Sequence, residues 1–267
     1  KDIQEQFIIE KKDFFLVKIF FVDISKLNLQ YLKSKTILVT GASRGIGLAL
    51  TEKFLDLGNI VVGTSRDKSN LESLTNKFER NFYPEQLDLS SEESIKSLCK
   101  AIRDKFQKLD VLILNAGVLG EVGPIRNSSY KSWCETINVN LNGQYLLIKS
   151  LLNCLEQSKK GSIIVVSSSV GRSPRSNWGS YSVSKASMEA LTLILSQELE
   201  ETSITVNSVN PGATATKMRK EALPNEDQSK IPQPKDIIPI FLYLASNEAT
   251  ENGEVFNARD FIGLLNY

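Results

Sequence analysis

A chain of 267 residues with 41% hydrophobic content is long enough to bury one sizeable core, and a single α/β domain is the default expectation. Its 32 basic and 31 acidic residues leave a formal charge of +1, so no broad field draws it to nucleic acid, an anionic membrane or an acidic protein, and a small-molecule partner is expected. The chain has no histidine, which excludes His-based triads, His-Glu-x-x-His zinc sites and imidazole bases; no metal site is expected, and proton chemistry has to come from Tyr, Lys, Asp, Glu or Cys.

In chain order, residues 1–34 form an N-terminal extension outside the regular rhythm, readable as an extra strand, a partner-binding arm or poorly packed upstream sequence. Its apolar stretch at 14–22 is broken by Lys18 and flanked by Glu10, Asp13 and Asp23, so neither a spanning helix nor a signal peptide is expected. From residue 35 to 267, short β-branched runs alternate with amphipathic stretches of helical length, the pattern of repeated βαβ units. Strands are predicted near 36–40, 60–64, 82–86, 111–114, 163–167, 205–209 and 254–256. Between them, Ile46, Leu50, Phe54 and Leu57 share one helical face, as do Ile95, Leu98, Ile102 and Phe106. The fold class expected is one Rossmann-type, doubly wound parallel sheet of about seven strands with helices on both faces. The charged, proline-punctuated stretch 214–234 reads as a loop or short helical excursion over a site, or as a solvated connection. Cys99, Cys134 and Cys154 are widely spaced, which suggests neither a disulfide framework nor a zinc cage and fits a reducing, cytoplasmic setting.

The segment Thr40-Gly41-Ala42-Ser43-Arg44-Gly45-Ile46-Gly47 runs from a strand through three glycines into a helix. Glycine allows a tight turn and close backbone approach, and the helix start offers free N–H groups to a nucleotide pyrophosphate. Tyr181 and Lys185 lie four apart, so on a helix their side chains stack on one face. An adjacent ammonium favours the phenolate, and the expectation is therefore a lowered Tyr181 pKa and a phenol able to shuttle a proton.

Thr40-Gly41-x-x-x-Gly45-x-Gly47 resembles the nucleotide motif of the short-chain dehydrogenase/reductase family, and further signposts follow in order. Asp88 resembles its adenine-contacting aspartate and Asn115-Ala116-Gly117 its structural motif beside the cofactor. Asn140 resembles its catalytic asparagine, Ser168 with Tyr181 and Lys185 its catalytic set, and Pro211-Gly212 with Thr216 the segment holding the nicotinamide end. The likeness spans about 35–260 and is strongest, through Ser167-Ser168-Ser169-Val170-Gly171-Arg172 and Asn177-Trp178-Gly179, to a bacterial branch of oxidoreductases of unsettled substrate. The resemblance implies that Tyr181 is the general acid or base for a carbonyl or alcohol oxygen, that Ser168 hydrogen-bonds that oxygen, that Lys185 holds the nicotinamide ribose, and that Asn140 holds a water linking Lys185 to solvent. At the end of the second strand, where NAD users of the family carry an acid, this chain has Ser65 followed by Arg66. Arg44 and Arg66 could grip a 2′-phosphate, which favours NADP(H) over NAD(H).

The activity implied is hydride transfer between NADP(H) and a small carbonyl compound or secondary alcohol. A 3-oxoacyl-carrier-protein reductase of fatty-acid synthesis shares every motif, and a non-catalytic NADP(H) sensor is the alternative of another class. A homodimer or homotetramer is implied, built through helices near 141–155 and 181–200. Two features depart from the family pattern: the last strand runs Val255-Phe256-Asn257-Ala258-Arg259-Asp260 in place of a glycine pair, and the 1–34 extension has no counterpart in it.

Overall fold

Runs such as Val111-Leu112-Ile113-Leu114 carry no polar alternation, and such a strand is satisfied only when both faces are covered. In the computed structural model, which describes residues 22 and 24–265, each predicted run becomes a strand: β1 (Thr36–Val39), β2 (Ile60–Ser65), β3 (Phe82–Gln86), β4 (Val111–Leu114), β5 (Gly161–Val166), β6 (Ile204–Asn210) and β7 (Val255–Asn257). Among the described residues they form one sheet in the order β3-β2-β1-β4-β5-β6-β7, and every pairing is parallel. The winding reverses between β1 and β4, which leaves a crevice at the carboxyl ends of these two neighbours, the usual place for a nucleotide in this architecture.

The helices are α1 (Gly45–Asp56), α2 (Glu72–Lys77), α3 (Glu92–Phe106), α4 (Tyr130–Ile137), α5 (Gly143–Glu156), α6 (Ser169–Arg172), α7 (Gly179–Glu198), α8 (Lys217–Ala222) and α9 (Pro239–Leu244). Strand alternation splits the core in two. Ile37, Val39, Val111 and Ile113 point to the layer of α1 and α9, where Leu50, Phe54 and Phe241 are buried. Leu38, Leu112, Leu114 and Ile163 point to the layer of α3, α5 and α7, where Ile95, Leu98, Ile102, Leu151 and Leu195 are buried. The predicted helical faces are therefore the packed ones.

Residues 1–21 and 23, with most of the 14–22 stretch, lie outside the described residues. The described remainder of the extension makes a short 3-10 turn, Leu29–Leu32, and Ile24, Leu27 and Leu32 join the α1/α9 core. The excursion at 214–234 contains α8 and is closed at its base by a hydrogen bond from Ala215 N to Pro232 O (2.8 Å). Among the described residues no helix is long and apolar enough to cross a membrane.

Candidate active site

The glycine turn sits at the carboxyl end of β1. Gly41 and Gly45 have φ of +70° and +57°, a region costly for any side chain. Gly47 is there for a different reason: a Cβ on it would lie 2.1 Å from Gly41 O and 2.6 Å from Asn115 Nδ2, so only glycine lets α1 start this close to the turn. Arg44 is the N-cap of α1 in extended conformation and makes no side-chain cap. The first N–H groups of this twelve-residue helix, those of Gly45 and Ile46 among them, thus receive no side-chain cap and carry the positive end of the dipole. β2 ends at Ser65 with no carboxylate, and Arg66 follows it exposed. The Arg66 guanidinium helps to hold the Asp88 carboxyl below its usual range, although hydrogen bonds from the Ser90 hydroxyl and backbone contribute more. Cradle and uncapped helix start fit the pyrophosphate of a nicotinamide dinucleotide.

The floor beside this turn comes from β4. Asn115 N and Ala116 N both donate to Thr40 Oγ1 (2.9 and 3.0 Å), Asn115 Nδ2 donates to Thr40 O (2.8 Å), and Gln144 Nε2 donates to Ala116 O (2.7 Å). Gly117 then opens a gap in which a Cβ would stand 3.1 Å from Asn140 Oδ1 and 3.9 Å from Lys185 Nζ. Asn140 lies in a single π turn, Asn138–Asn142, between α4 and α5, where Gly143 N donates to Asn138 O. Such turns concentrate at functional sites because the extra residue re-aims a side chain. Asn140 is locked at both ends of its amide: Oδ1 accepts from Val118 N (2.8 Å), and Nδ2 donates to Val118 O (2.9 Å) and Ser184 Oγ (3.1 Å).

Ser168 leaves the end of β5 in extended conformation, and Tyr181 and Lys185 rise from the first turns of α7. The Ser168 and Tyr181 side chains share a hydrogen bond. Lys185 Nζ stands 5.7 Å from the Tyr181 ring centre and donates to Val166 O at 2.7 Å. The expected lowering of the Tyr181 pKa is not what this geometry gives. Burial raises the phenol to about 12, with Ser168 pulling the other way, and burial lowers Lys185 to about 8, opposed by the Glu189 carboxylate. The physical reason is that desolvation penalises both charged forms, and the ammonium donates to the Val166 carbonyl.

On the far side of the crevice, Thr216 caps α8 by accepting from Arg219 N (3.1 Å). Its methyl lies 3.4 Å from where a Gly45 Cβ would be, so the Pro211-Gly212 segment and the glycine turn face one another. The glycine turn, Arg66, Asp88, the 115–117 segment, Ser168 and the 211–216 segment thus follow the carboxyl ends of β1, β2, β3, β4, β5 and β6 in turn, with Tyr181 and Lys185 on α7.

The short chain dehydrogenase family model matches residues 35–227. The chain belongs to the short-chain dehydrogenase family. This dehydrogenase is 35% identical over 235 residues to the uncharacterized oxidoreductase YciK of Escherichia coli strain K12, covering 85% of this chain and 93% of that one. It is 31% identical over 227 residues to the 3-oxoacyl-[acyl-carrier-protein] reductase FabG of Vibrio cholerae, covering 82% and 92%. Among solved structures, a short chain dehydrogenase of Shigella flexneri complexed with NADP superposes with a TM-score of 0.83 at 33% identity, over 87% of this chain and all (100%) of that one. One from Escherichia coli CFT073 complexed with NADPH gives 0.83 at 34%, over 87% and 99%.

Several supporting roles in this dehydrogenase were not assigned by the motif reading. Thr40 and Gln144 hold the 115–117 floor. Glu189, buried one turn beyond Lys185, accepts a hydrogen bond from Ser167 and pairs with Arg172 Nε at 3.1 Å. Its signal was available, because Tyr181, Lys185 and Glu189 are spaced by four and share a helix face. Trp178 stands at the start of α7 with its ring 5.9 Å from that of Tyr181. Burial raises the Cys99 thiol to about 11 and raises Cys154 as well, as suits packing thiols.

Proposed function

We propose that this oxidoreductase transfers hydride between NADP(H) and a small carbonyl compound or secondary alcohol, with Tyr181 as general acid and base. The observation that carries the reading is the Ser168–Tyr181 hydrogen bond, set one helical turn from Lys185 and beside the locked Asn140. Arg44 and Arg66, with no carboxylate at the end of β2, support the phosphorylated cofactor. The nicotinamide supplies the hydride when bound. Gly41, Ser43, Gly45, Ile46 and Gly47 would hold its pyrophosphate; Asp88, Asn115, Ala116 and Gly117 would line its adenosine and ribose side; Pro211, Gly212 and Thr216 would hold the nicotinamide end.

The remaining chemistry belongs to the chain. The Tyr181 hydroxyl donates a proton to the substrate oxygen in reduction and accepts it in oxidation. Ser168 hydrogen-bonds that oxygen as charge develops on it, a contribution available only where water is excluded. Lys185 holds its ammonium beneath Tyr181, and Asn140 fixes the wall through which a proton is replenished. Exposed apolar side chains on α5 and α7, Tyr145, Val183, Leu193 and Ile194, support assembly as a homodimer or homotetramer, and the buried thiols suit a cytoplasmic setting.

A 3-oxoacyl-carrier reductase is the second reading, favoured by the 31% identity to FabG of Vibrio cholerae. The test is oxidation of NADPH, with NADH in parallel, on a panel of ketones, aldehydes and acyl thioesters, comparing the native chain with Tyr181→Phe. Turnover preferring NADPH is expected to fall about 10²- to 10⁴-fold in the variant. Acyl thioesters outpacing every free ketone would favour the second reading, and tight NADPH binding without turnover would favour a sensor.

A further inference from the structure

A second concavity, of about 480 Å³, opens at the carboxyl ends of β5, β6 and β7, with Ser169, Gly212 and Asn257 in its wall. Three arginines from distant parts of the chain converge on it: Arg175 from the segment joining Ser168 to Tyr181, Arg219 from α8, and Arg259 from the turn after β7. Only one is neutralised locally. Arg219 binds Glu226 with Nε and Nη2, each at 2.6 Å. Arg175 and Arg259 make no ion pair among the described residues, and neither does Asp260, the one carboxylate in the wall.

The placement of Arg259 is built into the backbone. A Cβ at Gly212 would meet Arg259 Cδ at 2.6 Å and Cγ at 3.1 Å, so a glycine makes room for the arginine stem to lie across it. Gly212 is held in turn by Asn210 Oδ1, which accepts from its N–H at 3.0 Å, while Asn210 Nδ2 donates to Asn257 Oδ1 at 3.1 Å. Arg259 also stands in the stretch where the sequence departs from the family's glycine pair. Guanidinium groups lining one concavity offer an anionic ligand charge-assisted, forked hydrogen bonds. The concavity adjoins the reaction site through Ser169, next to Ser168, and through Gly212, next to Pro211.

We infer that Arg175 and Arg259 receive an anionic group of the substrate, so that the preferred carbonyl compounds are oxo acids. The inference rests on the reductase reading above and adds a substrate class to it. The probes are 2-oxobutanoate, 4-oxopentanoate and 5-oxohexanoate, each beside its methyl ester, with dihydroxyacetone phosphate beside dihydroxyacetone to separate phosphate from carboxylate. For at least one acid, kcat/KM in the native chain is expected to exceed that of its ester by about tenfold or more, and Arg175→Ala is expected to collapse that ratio about 10- to 100-fold. Arg175→Lys should restore part of it, and Arg259→Ala should repeat the loss.

Equal use of acids and esters, or an acid-to-ester ratio untouched by Arg175→Ala, overturns the inference while leaving the reductase reading standing. A preference confined to the phosphate pair overturns the carboxylate assignment. If no compound turns over, the reductase reading fails, and calorimetric titration of the same acids into NADP-loaded protein decides the arginine site separately. Binding lost in Arg175→Ala then supports it, and absence of binding overturns it.

Discussion

Tyr181 and Lys185 are each held in the neutral direction by their surroundings, and the two shifts have opposite consequences for stability. Lys185 ionises near 10.5 when exposed and at about 8 in the fold, which corresponds to about 3 kcal/mol of penalty on its ammonium. Because the folded value is the lower one, the penalty is fully present below pH 8 and fades as the pH rises from 8 to 10.5. Lys185→Met should abolish turnover yet unfold at higher denaturant at pH 7, by about 1–2 kcal/mol once the orphaned Val166 carbonyl is counted against the gain. That advantage should shrink steadily between pH 8 and pH 10.5, the interval of the Lys185 shift, and urea titrations at several pH values would show it; a gap independent of pH would contradict it. The site residues were legible because their motifs are local in sequence. The Glu189–Arg172 pair was not, since it forms only once α6 folds back against α7, and the pKa direction at Tyr181 depends on burial that no spacing reports.

At the scale of elements, the start of α1 is set by what cannot be added. A methyl at position 47 would collide with backbone, Gly41 O at 2.1 Å, and backbone has no rotamer to yield. Gly47→Ala is expected to destabilise the fold by about 2–3 kcal/mol and to weaken NADPH binding more than tenfold, because relief requires moving the turn that faces the pyrophosphate. Thermal unfolding with and without NADPH separates the two effects, and a variant that binds NADPH normally would argue against the close approach. The central strands β1 and β4, buried along their whole length, could be placed from sequence because such strands are written as nearly continuous apolar runs. The π turn at Asn138–Asn142 could not, because Asn138-Val139-Asn140-Leu141-Asn142 contains no glycine or proline to mark it.

Over the whole molecule, the sheet separates two cores, and the extension before β1 belongs to one of them. Ile24, Leu27 and Leu32 close the α1/α9 layer, so the part of the 1–34 segment nearest β1 acts as core. Its sequence gave little sign of this, since isolated apolar residues in a non-periodic stretch acquire meaning only from the surface they meet. Leu32 is completely buried, and Leu32→Ala should cost about 2–4 kcal/mol in equilibrium unfolding. The Michaelis constant for the carbonyl substrate should change little, because that layer lies across the sheet from α7; a Leu32→Ala chain as stable as the native one would show the turn to be dispensable.

The π turn has a further consequence for how the chain can change. One extra residue in a helix offsets everything after it by about 100° around the axis, and here the offset lets Asn140 face the site while Leu147, Ile148 and Leu151 still face the core. Deleting any one residue from 138–142 would regularise the hydrogen bonding and rotate one of those two sets out of place. Intermediate forms are thus closed off: the aim of Asn140 and the seating of α5 are inherited together or lost together, in a stretch of five residues whose composition gives no outward sign of it.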